Sequence, residues 1–355
     1  MATEQYVVAV LGATGLVGSH LIEILEERNF PVKQLKPLAS ERSAGGTVMF
    51  RGQEVPVELA CPEAFDGVDI VLASAGGAVS AALAPEAVKR GAVVVDNTSN
   101  YRMDPNVPLV VAGVNDADVK DHQGIIANPN CSTAQLMPVL KALDDAAGLQ
   151  RVIVSTYQSV SGAGKDGIDE LLQTTHEVFH RAHHGDDAAM TPNKVFSRPI
   201  AFNLVPQIDV FVDTGVEKDY TKEETKLINE TKKILHRPDL KVTATAVRVP
   251  VMVGHSESVT LEFSRAISPE EAADVLRKTP DVEVADQREA FPTPLEAAGR
   301  DPVYVGRIRK DTSNPETGLN LWVVADNLRI GAALNAVRIA EVLIREKALK
   351  PKAMA

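Results

Sequence analysis

The stretch ANPNCSTAQLMP, residues 127–138, sets Cys131 between a proline-containing turn and an apolar run of helical character. Pro129 imposes an extended approach to the cysteine, and Ser132 or Thr133 can cap the helix that follows. The N-terminal dipole of such a helix favours a thiolate over a thiol, and the thiolate is the attacking form. Pro138 limits this reading, because it costs the helix a hydrogen bond unless it falls in the first turns. Downstream, YQSVSGAGKDG supplies Gln158 and a flexible turn at Gly162, Ala163 and Gly164, and VRVPVMVGHSES puts Arg248 and His255 on one candidate strand and its end. A thiolate beside an imidazole, with a nicotinamide dinucleotide in reach, implies covalent aldehyde oxidation in which the sulfur adds to the carbonyl and a thioester remains.

A second constellation competes. In TTHEVFHRAHH, His176, Glu177 and His180 match H-E-x-x-H, which puts two imidazoles on one helix face beside a general base and would make the protein a zinc hydrolase. The metzincin continuation needs Gly three residues after the second His, where His183 stands, although His184 leaves spare ligand capacity. Three fixed positions also recur by chance in a histidine-rich helix. The expectation is an amphipathic surface or subunit-contact helix, with no metal.

These groups need elements to hold them. LGATGLVGSH follows a strand pattern and opens a helix, giving a dinucleotide-type turn from Gly12 through Ala13, Thr14, Gly15, Leu16 and Val17 to Gly18. Glycines there let the backbone approach a pyrophosphate, whose charge meets free amides at the helix N-terminus. Roughly twenty residues on, where an NAD site usually carries an acid for the ribose hydroxyls, the chain reads LASERSAGG. Arg42, flanked by Ser40 and Ser43, can hold a 2′-phosphate instead, with Glu41 as the complication, so the expected cofactor is NADP. A catalytically silent NADP-binding regulator would keep this turn too.

Up to about residue 130, Val/Ile-rich runs alternate with helical patterns, the signature of a parallel sheet covered on both faces. The first helix groups Leu21, Ile24 and Leu25 and stops at Asn29-Phe30-Pro31. From about residue 151 the strand candidates lengthen, and Val259, Leu261 and Phe263 alternate with polar residues, as suits a sheet with one wet or interface-facing side. A last amphipathic helix over 330–347, with Leu334, Val337 and Leu343, can return to the first domain, and 184–199 reads as a surface loop. The 355 residues, 45% hydrophobic and 24% charged, suffice for two domains. A net charge of −11 disfavours nucleic acid as a partner, and the basic residues at 345–352 read as a solvated face. With two cysteines, no signal sequence and no apolar run long enough for a membrane, a reduced cytoplasmic setting is expected, with Cys61 structural.

Over nearly its whole length the chain resembles the aspartate-semialdehyde dehydrogenase family, in GATGLVG, SERSAG, SNYRMD, NPNCST, QSVSGAG, KEETK with ETKKIL, RVPVMVGHSES and DNLRIGAALNA. The related N-acetyl-gamma-glutamyl-phosphate reductases typically carry N-P-G-C-Y-P-T at the cysteine, and are the enzymatic alternative. The resemblance implies reversible NADP-dependent conversion of L-aspartate 4-semialdehyde and phosphate to L-4-aspartyl phosphate, in lysine, threonine and methionine synthesis. Cys131 would be the nucleophile, Gln158 would orient the acyl-enzyme, and His255 would act as acid and base. The oxyanion donor would be the Ser132 amide or the Asn130 side chain. Arg248 would grip the substrate carboxylate, Glu223 would face its ammonium, and Arg102 with Lys226 would bind phosphate. Gly162, Ala163 and Asn327 would approach the nicotinamide, and Ser74 would lie along the cofactor. The implied architecture is α/β: a Rossmann-type domain over 1–132, completed by 328–355, and an α+β domain over 133–327 with a mostly antiparallel sheet that also forms a homodimer. The helix around His176 is then a candidate subunit contact.

Overall fold

The computed structural model describes residues 4–184, 192–285, 287 and 289–349. The chain divides into two compact units, one taking the chain up to Asn130, Lys233–Leu235 and everything from Gly331, the other taking Cys131–Lys232 and His236–Ile330. In the first unit the order is β1 (Tyr6–Leu11), α1 (Leu16–Glu27), β2 (Val32–Ala39), β3 (Thr47–Phe50), β4 (Gln53–Pro56), β5 (Glu58–Leu59), β6 (Ile70–Ala73), α2 (Gly77–Lys89), β7 (Val93–Asp96) and β8 (Ile125–Ala127). Six strands form one sheet in the order β5-β2-β1-β6-β7-β8, and every pair in it is parallel. Val8, Val10, Ile70, Leu72 and Val93 are wholly buried, which explains why these strands read as continuous apolar runs rather than alternations. Strands β3 and β4 make a separate antiparallel pair.

Helix α1 buries Leu21, Ile24 and Leu25, and the chain leaves it through Asn29 in the left-handed region at φ 51°. The turn ahead of it is a close fit. Gly12 sits at φ +88°, the Gly15 amide donates to the Gly12 carbonyl at 3.0 Å, and a Cβ on Gly18 would stand 2.0 Å from that same oxygen. The strand order reverses between β1 and β6, so this turn lies at the switch point where open α/β sheets bind ligands.

The second unit contains α3 (Cys131–Ala147), β9 (Leu149–Gln158), α4 (Gly164–His184), α5 (Lys222–Ile234), β10 (Lys241–Arg248), β11 (His255–Phe263), α6 (Pro269–Arg277), β12 (Val282–Val284), α7 (Pro294–Ala297), β13 (Val303–Lys310) and β14 (Gly318–Ala325). Its six-stranded sheet runs β10-β9-β11-β14-β13-β12, antiparallel in the middle and parallel at its two edge pairs. Two sequence expectations need correcting here. Arg248 and His255 do not share a strand: the first ends β10 and the second begins β11, with Val249 to Gly254 turning the chain between them. Ser132 and Thr133 do not cap α3, because the helix begins at Cys131 itself and both lie inside its first turn. Pro138 lies beyond that turn, yet α3 continues to Ala147, its lost hydrogen bond offset by burial of Leu136, Met137, Val139 and Leu140.

The C-terminal helix is shorter than its pattern. A π-helical turn, Arg329–Ala333, precedes α8 (Leu334–Arg345), which belongs to the first unit. There Glu341 accepts from Nε and Nη2 of Arg28, the residue that ends α1, at 2.7 Å, and the buried Asn335 amide bonds to Val110 O, to Asn128 Oδ1 and to the Ala112 amide. Of the expected 184–199 loop, 192–199 has no regular structure, and 185–191 lies outside the described residues. Cys61 packs against the apolar core of the first unit. Among the described residues no helix is long and apolar enough to cross a membrane.

Gly18→Ala is expected to lose about 1–3 kcal/mol through overpacking against Gly12, seen as a melting temperature lower by roughly 3–10 °C. An unchanged melting temperature in calorimetry would show that the turn accommodates a Cβ after all.

Candidate active site

Helix α3 places Cys131 at its first position, so the sulfur sits at the positive end of the helix, and the half-buried thiol faces the start of β11. Its Sγ lies 3.1 Å from Nε2 of His255, a wholly buried ring. Behind the ring, the Ser159 backbone N–H donates to Nδ1 at 3.1 Å. A backbone N–H can only donate, so the proton of the neutral imidazole sits on Nε2 and points at the sulfur. Burial first, and the nearby Arg248 charge second, push the His255 pKa down to about 3, against the pull of Glu223. The ring is therefore neutral at pH 7, and in this arrangement it is a donor toward the sulfur.

Gln158, at the end of β9, is oriented at both ends of its amide. Oε1 accepts from Thr156 Oγ1 at 3.0 Å and Nε2 donates to Glu223 Oε1 at 2.9 Å, with His255 Nε2 3.4 Å away. Glu223 in turn holds Lys226 at 3.1 Å, and Lys226 reaches Asp209 at 3.0 Å. Burial pulls the Lys226 pKa down, but the two carboxylates outweigh it and keep the ammonium charged. Arg248 is buried, lies against Phe196, and uses Nη1 on the Ser159 carbonyl at 2.6 Å. Nε and Nη2 of its fork have no hydrogen-bond acceptor among the described residues. Gly162 keeps this corner open, since a Cβ there would come within 2.8 Å of Arg248 Nη1 and 3.4 Å of the His255 ring. Asn327 Oδ1 accepts from Ser159 Oγ, Ser161 Oγ and the Gly254 amide, bracing the same loop, and Ala163 closes the short helical turn after it.

In the first unit, a cavity of about 750 Å³ is lined by Gly12, Thr14, Gly15, Ser40, Arg42, Ser43 and Ser74. Arg42 is exposed there on a turn closed by the Ser43 amide on the Ser40 carbonyl. Ala13 is buried beneath the turn, and Leu16 and Val17 open α1 without lining the cavity. Arg102 is buried, with Nε on Asn128 O at 2.9 Å and Nη2 on Asn97 O at 2.7 Å, and Asn130 is buried beside the start of α3 in sequence. His176 and His180 do share a face of α4, with stacked rings 6.4 Å apart. Among the described residues, however, no three His, Cys, Asp or Glu side chains gather to hold a metal.

Sequence reasoning missed Ser159, Asp209 and Phe196, whose roles arise from contacts distant in sequence, and Thr156, which holds Gln158 from two residues before it. Gln135 and Glu257 were also missed, although their spacings, four after Cys131 on a helix and two after His255 on a strand, were visible signals.

A glycine turn for a dinucleotide and a half-buried cysteine in contact with a buried histidine define a nicotinamide-dependent oxidoreductase. Residues 7–122 match the semialdehyde dehydrogenase NAD binding domain, and 140–330 match the semialdehyde dehydrogenase dimerisation domain. The chain is 52% identical to aspartate-semialdehyde dehydrogenase of Bacillus subtilis over 339 residues, 95% of this chain and 96% of that one. The crystal structure of aspartate semialdehyde dehydrogenase II of Vibrio cholerae, complexed with ASA, superposes with TM-score 0.91 at 48% identity, covering 97% of this chain and 99% of that one. The enzyme of Candida albicans with NADP gives TM-score 0.76 at 28% identity over 97% and 100% of the two chains. The chain belongs to the aspartate-semialdehyde dehydrogenase family.

The depressed His255 pKa has a consequence for stability. A folded pKa of about 3 against roughly 6.5 unfolded means the unfolded chain binds the extra proton first, so stability is lost as pH falls from 6.5 toward 3. Between pH 7.5 and 5 this amounts to about 2 kcal/mol. Urea unfolding of His255→Gln should show a pH slope shallower than wild type by that amount, and parallel slopes would contradict a buried neutral ring.

Proposed function

We propose that this chain catalyses the reversible, phosphate-consuming oxidation of L-aspartate 4-semialdehyde to L-4-aspartyl phosphate with NADP, through a thioester on Cys131. The observation that carries the reading is the Cys131 sulfur 3.1 Å from Nε2 of His255, beside the open fork of Arg248. The thiolate attacks the aldehyde carbon, forming a C–S bond, and the carbonyl oxygen takes the negative charge. Its donors are the His255 N–H with either the Ser132 amide, among the four that lack an intrahelical acceptor, or the Asn130 side chain. Gln158 orients the adduct. Bound at the glycine turn, the nicotinamide dinucleotide supplies the hydride acceptor that the oxidation requires. Phosphate then attacks the thioester, a C–O bond forms as the C–S bond breaks, and the sulfur leaves as the thiolate it began as.

Arg248 suits the substrate carboxylate because its guanidinium presents two parallel donors. Glu223 balances the ammonium, and Arg102 and Lys226 serve phosphate, each now held in place by the protein groups named above. The cofactor fits on observations of this chain: at Gly12 and Gly18 a Cβ would run into the backbone of Ser74 and Gly12, so only glycine allows the tight turn a pyrophosphate needs, and the cavity beside it is lined by Arg42, which has no ion pair among the described residues. Gly162, Ala163 and Asn327 would serve the nicotinamide end. Arg42 with Ser40 and Ser43 favours NADP over NAD through the extra phosphate.

The working form is read as a cytoplasmic homodimer, built on the second unit. Two surfaces support this: Tyr157 and Trp322 pack 5.6 Å apart on one sheet face, and α4 exposes Leu172 and Phe179, with Phe202 edge-on against Phe179.

Cys131→Ala is expected to abolish phosphate-dependent NADPH formation from aspartate semialdehyde while NADP still binds. Residual turnover within about tenfold of wild type would refute the covalent route, and equal use of N-acetylglutamate semialdehyde would favour the related reductase. Arg42→Ala should raise KM for NADP by about tenfold or more and leave that for NAD nearly unchanged, so an unaltered NADP-to-NAD ratio would remove Arg42 from cofactor selection.

A further inference from the structure

Beneath the cysteine–histidine pair lies a second pair that the reaction does not use. Cys131 and Gln135 are one turn apart on the same face of α3, a rise of roughly 6 Å. His255 and Glu257 are two apart on the same face of β11, a rise of roughly 6.6 Å. The two steps match, so the elements that bring Cys131 to His255 bring Gln135 toward Glu257. Gln135 Nε2 donates to the backbone carbonyl of His255 at 3.4 Å. Its Oε1 is buried with no donor, and both carboxyl oxygens of the wholly buried Glu257 are likewise without partners.

We infer that Glu257 is a positioning residue for His255 and acts through Gln135, the two forming a rung that fixes where the imidazole meets the sulfur. Burial holds the Glu257 carboxyl well above the ordinary carboxylate range, with the Gln135 amide opposing. In its protonated form the carboxyl offers an O–H, and Gln135 Oε1 is a buried acceptor with no donor of its own. Donation to Oε1 turns the Gln135 amide so that its NH2 group faces the His255 carbonyl, the first residue of β11 and the base of the ring. The other side chains in register with Glu257 are Thr156, committed to Gln158, and Val323, so no charged neighbour competes for the carboxyl. Packing alone does not call for an acid here, since apolar residues of similar volume usually stabilise a core as well or better than a buried ionisable group.

The inference rests on the proposed role of His255, and the test separates the two. Glu257→Met, Gln135→Met, their double variant and Glu257→Gln are compared with wild type for kcat, KM and the rate at which iodoacetamide alkylates Cys131, a reaction that needs no substrate. The expected result is a kcat about tenfold lower in each Met variant with KM within about twofold, alkylation changed by at least threefold, and a double variant no worse than the worse single. Glu257→Gln, which still offers an N–H donor, should recover kcat to within about threefold. A folded Glu257→Met with kcat and alkylation both within twofold of wild type overturns the inference. If Glu257→Met does not fold, Gln135→Met is judged by the same threshold. Should the wild-type protein not oxidise aspartate semialdehyde, the functional reading falls and the alkylation rates decide this one alone.

Discussion

The contact between the sulfur of Cys131 and the imidazole of His255 joins the start of a helix to the start of a strand, and the second unit is organised to hold those two starts together. Neither side chain could keep the geometry alone. Helix α3 is anchored by a wholly buried face, and β11 runs in the middle of its sheet between β9 and β14. Each partner also has a fixed electrical setting: the sulfur takes the positive end of the helix, and the ring has its proton directed by a backbone amide. Packing supplies the position and the backbone supplies the polarity.

Around that contact stand charges that would be costly to bury singly. Arg248 and Lys226 carry two positive charges, Glu223 and Asp209 two negative ones, the neutral histidine adds none, and the attacking thiolate of Cys131 adds one more negative charge. The proposed substrate brings one carboxylate and one ammonium, so it can exchange partners in this group without altering the sum. Pre-set charges of this kind need little rearrangement when a tetrahedral oxyanion develops, which is how electrostatic stabilisation becomes large in a dry site.

What was legible in the sequence was local. The glycine turn, the parallel strands around it and the buried face of α1 follow from spacing and composition, because their physics is contained in a dozen neighbouring residues. Cys131, His255, Gln158 and Arg248 could be named from short motifs, but several of the groups that orient them could not. Ser159 reaches His255 across 96 residues, and Asp209 reaches Lys226 from a loop with no pattern of its own. The same limit explains the histidine helix: H-E-x-x-H does set two rings on one face, whereas a further ligand must come from elsewhere in the fold. The split of residues 248–255 into two strands and the start of α3 at Cys131 were decided by the sheet and by tertiary packing, not by the local string.

Ser159 spends all of its polar groups on this corner. Its amide holds the histidine, its carbonyl holds the arginine, and its hydroxyl holds Asn327. One peptide plane on either side of a single α-carbon thus sets both the proton donor and the carboxylate clamp. A backbone displacement there cannot retune one without the other, so natural variation that seeks a new acid for this scaffold must either preserve that residue's course or rebuild reactivity and recognition in the same step.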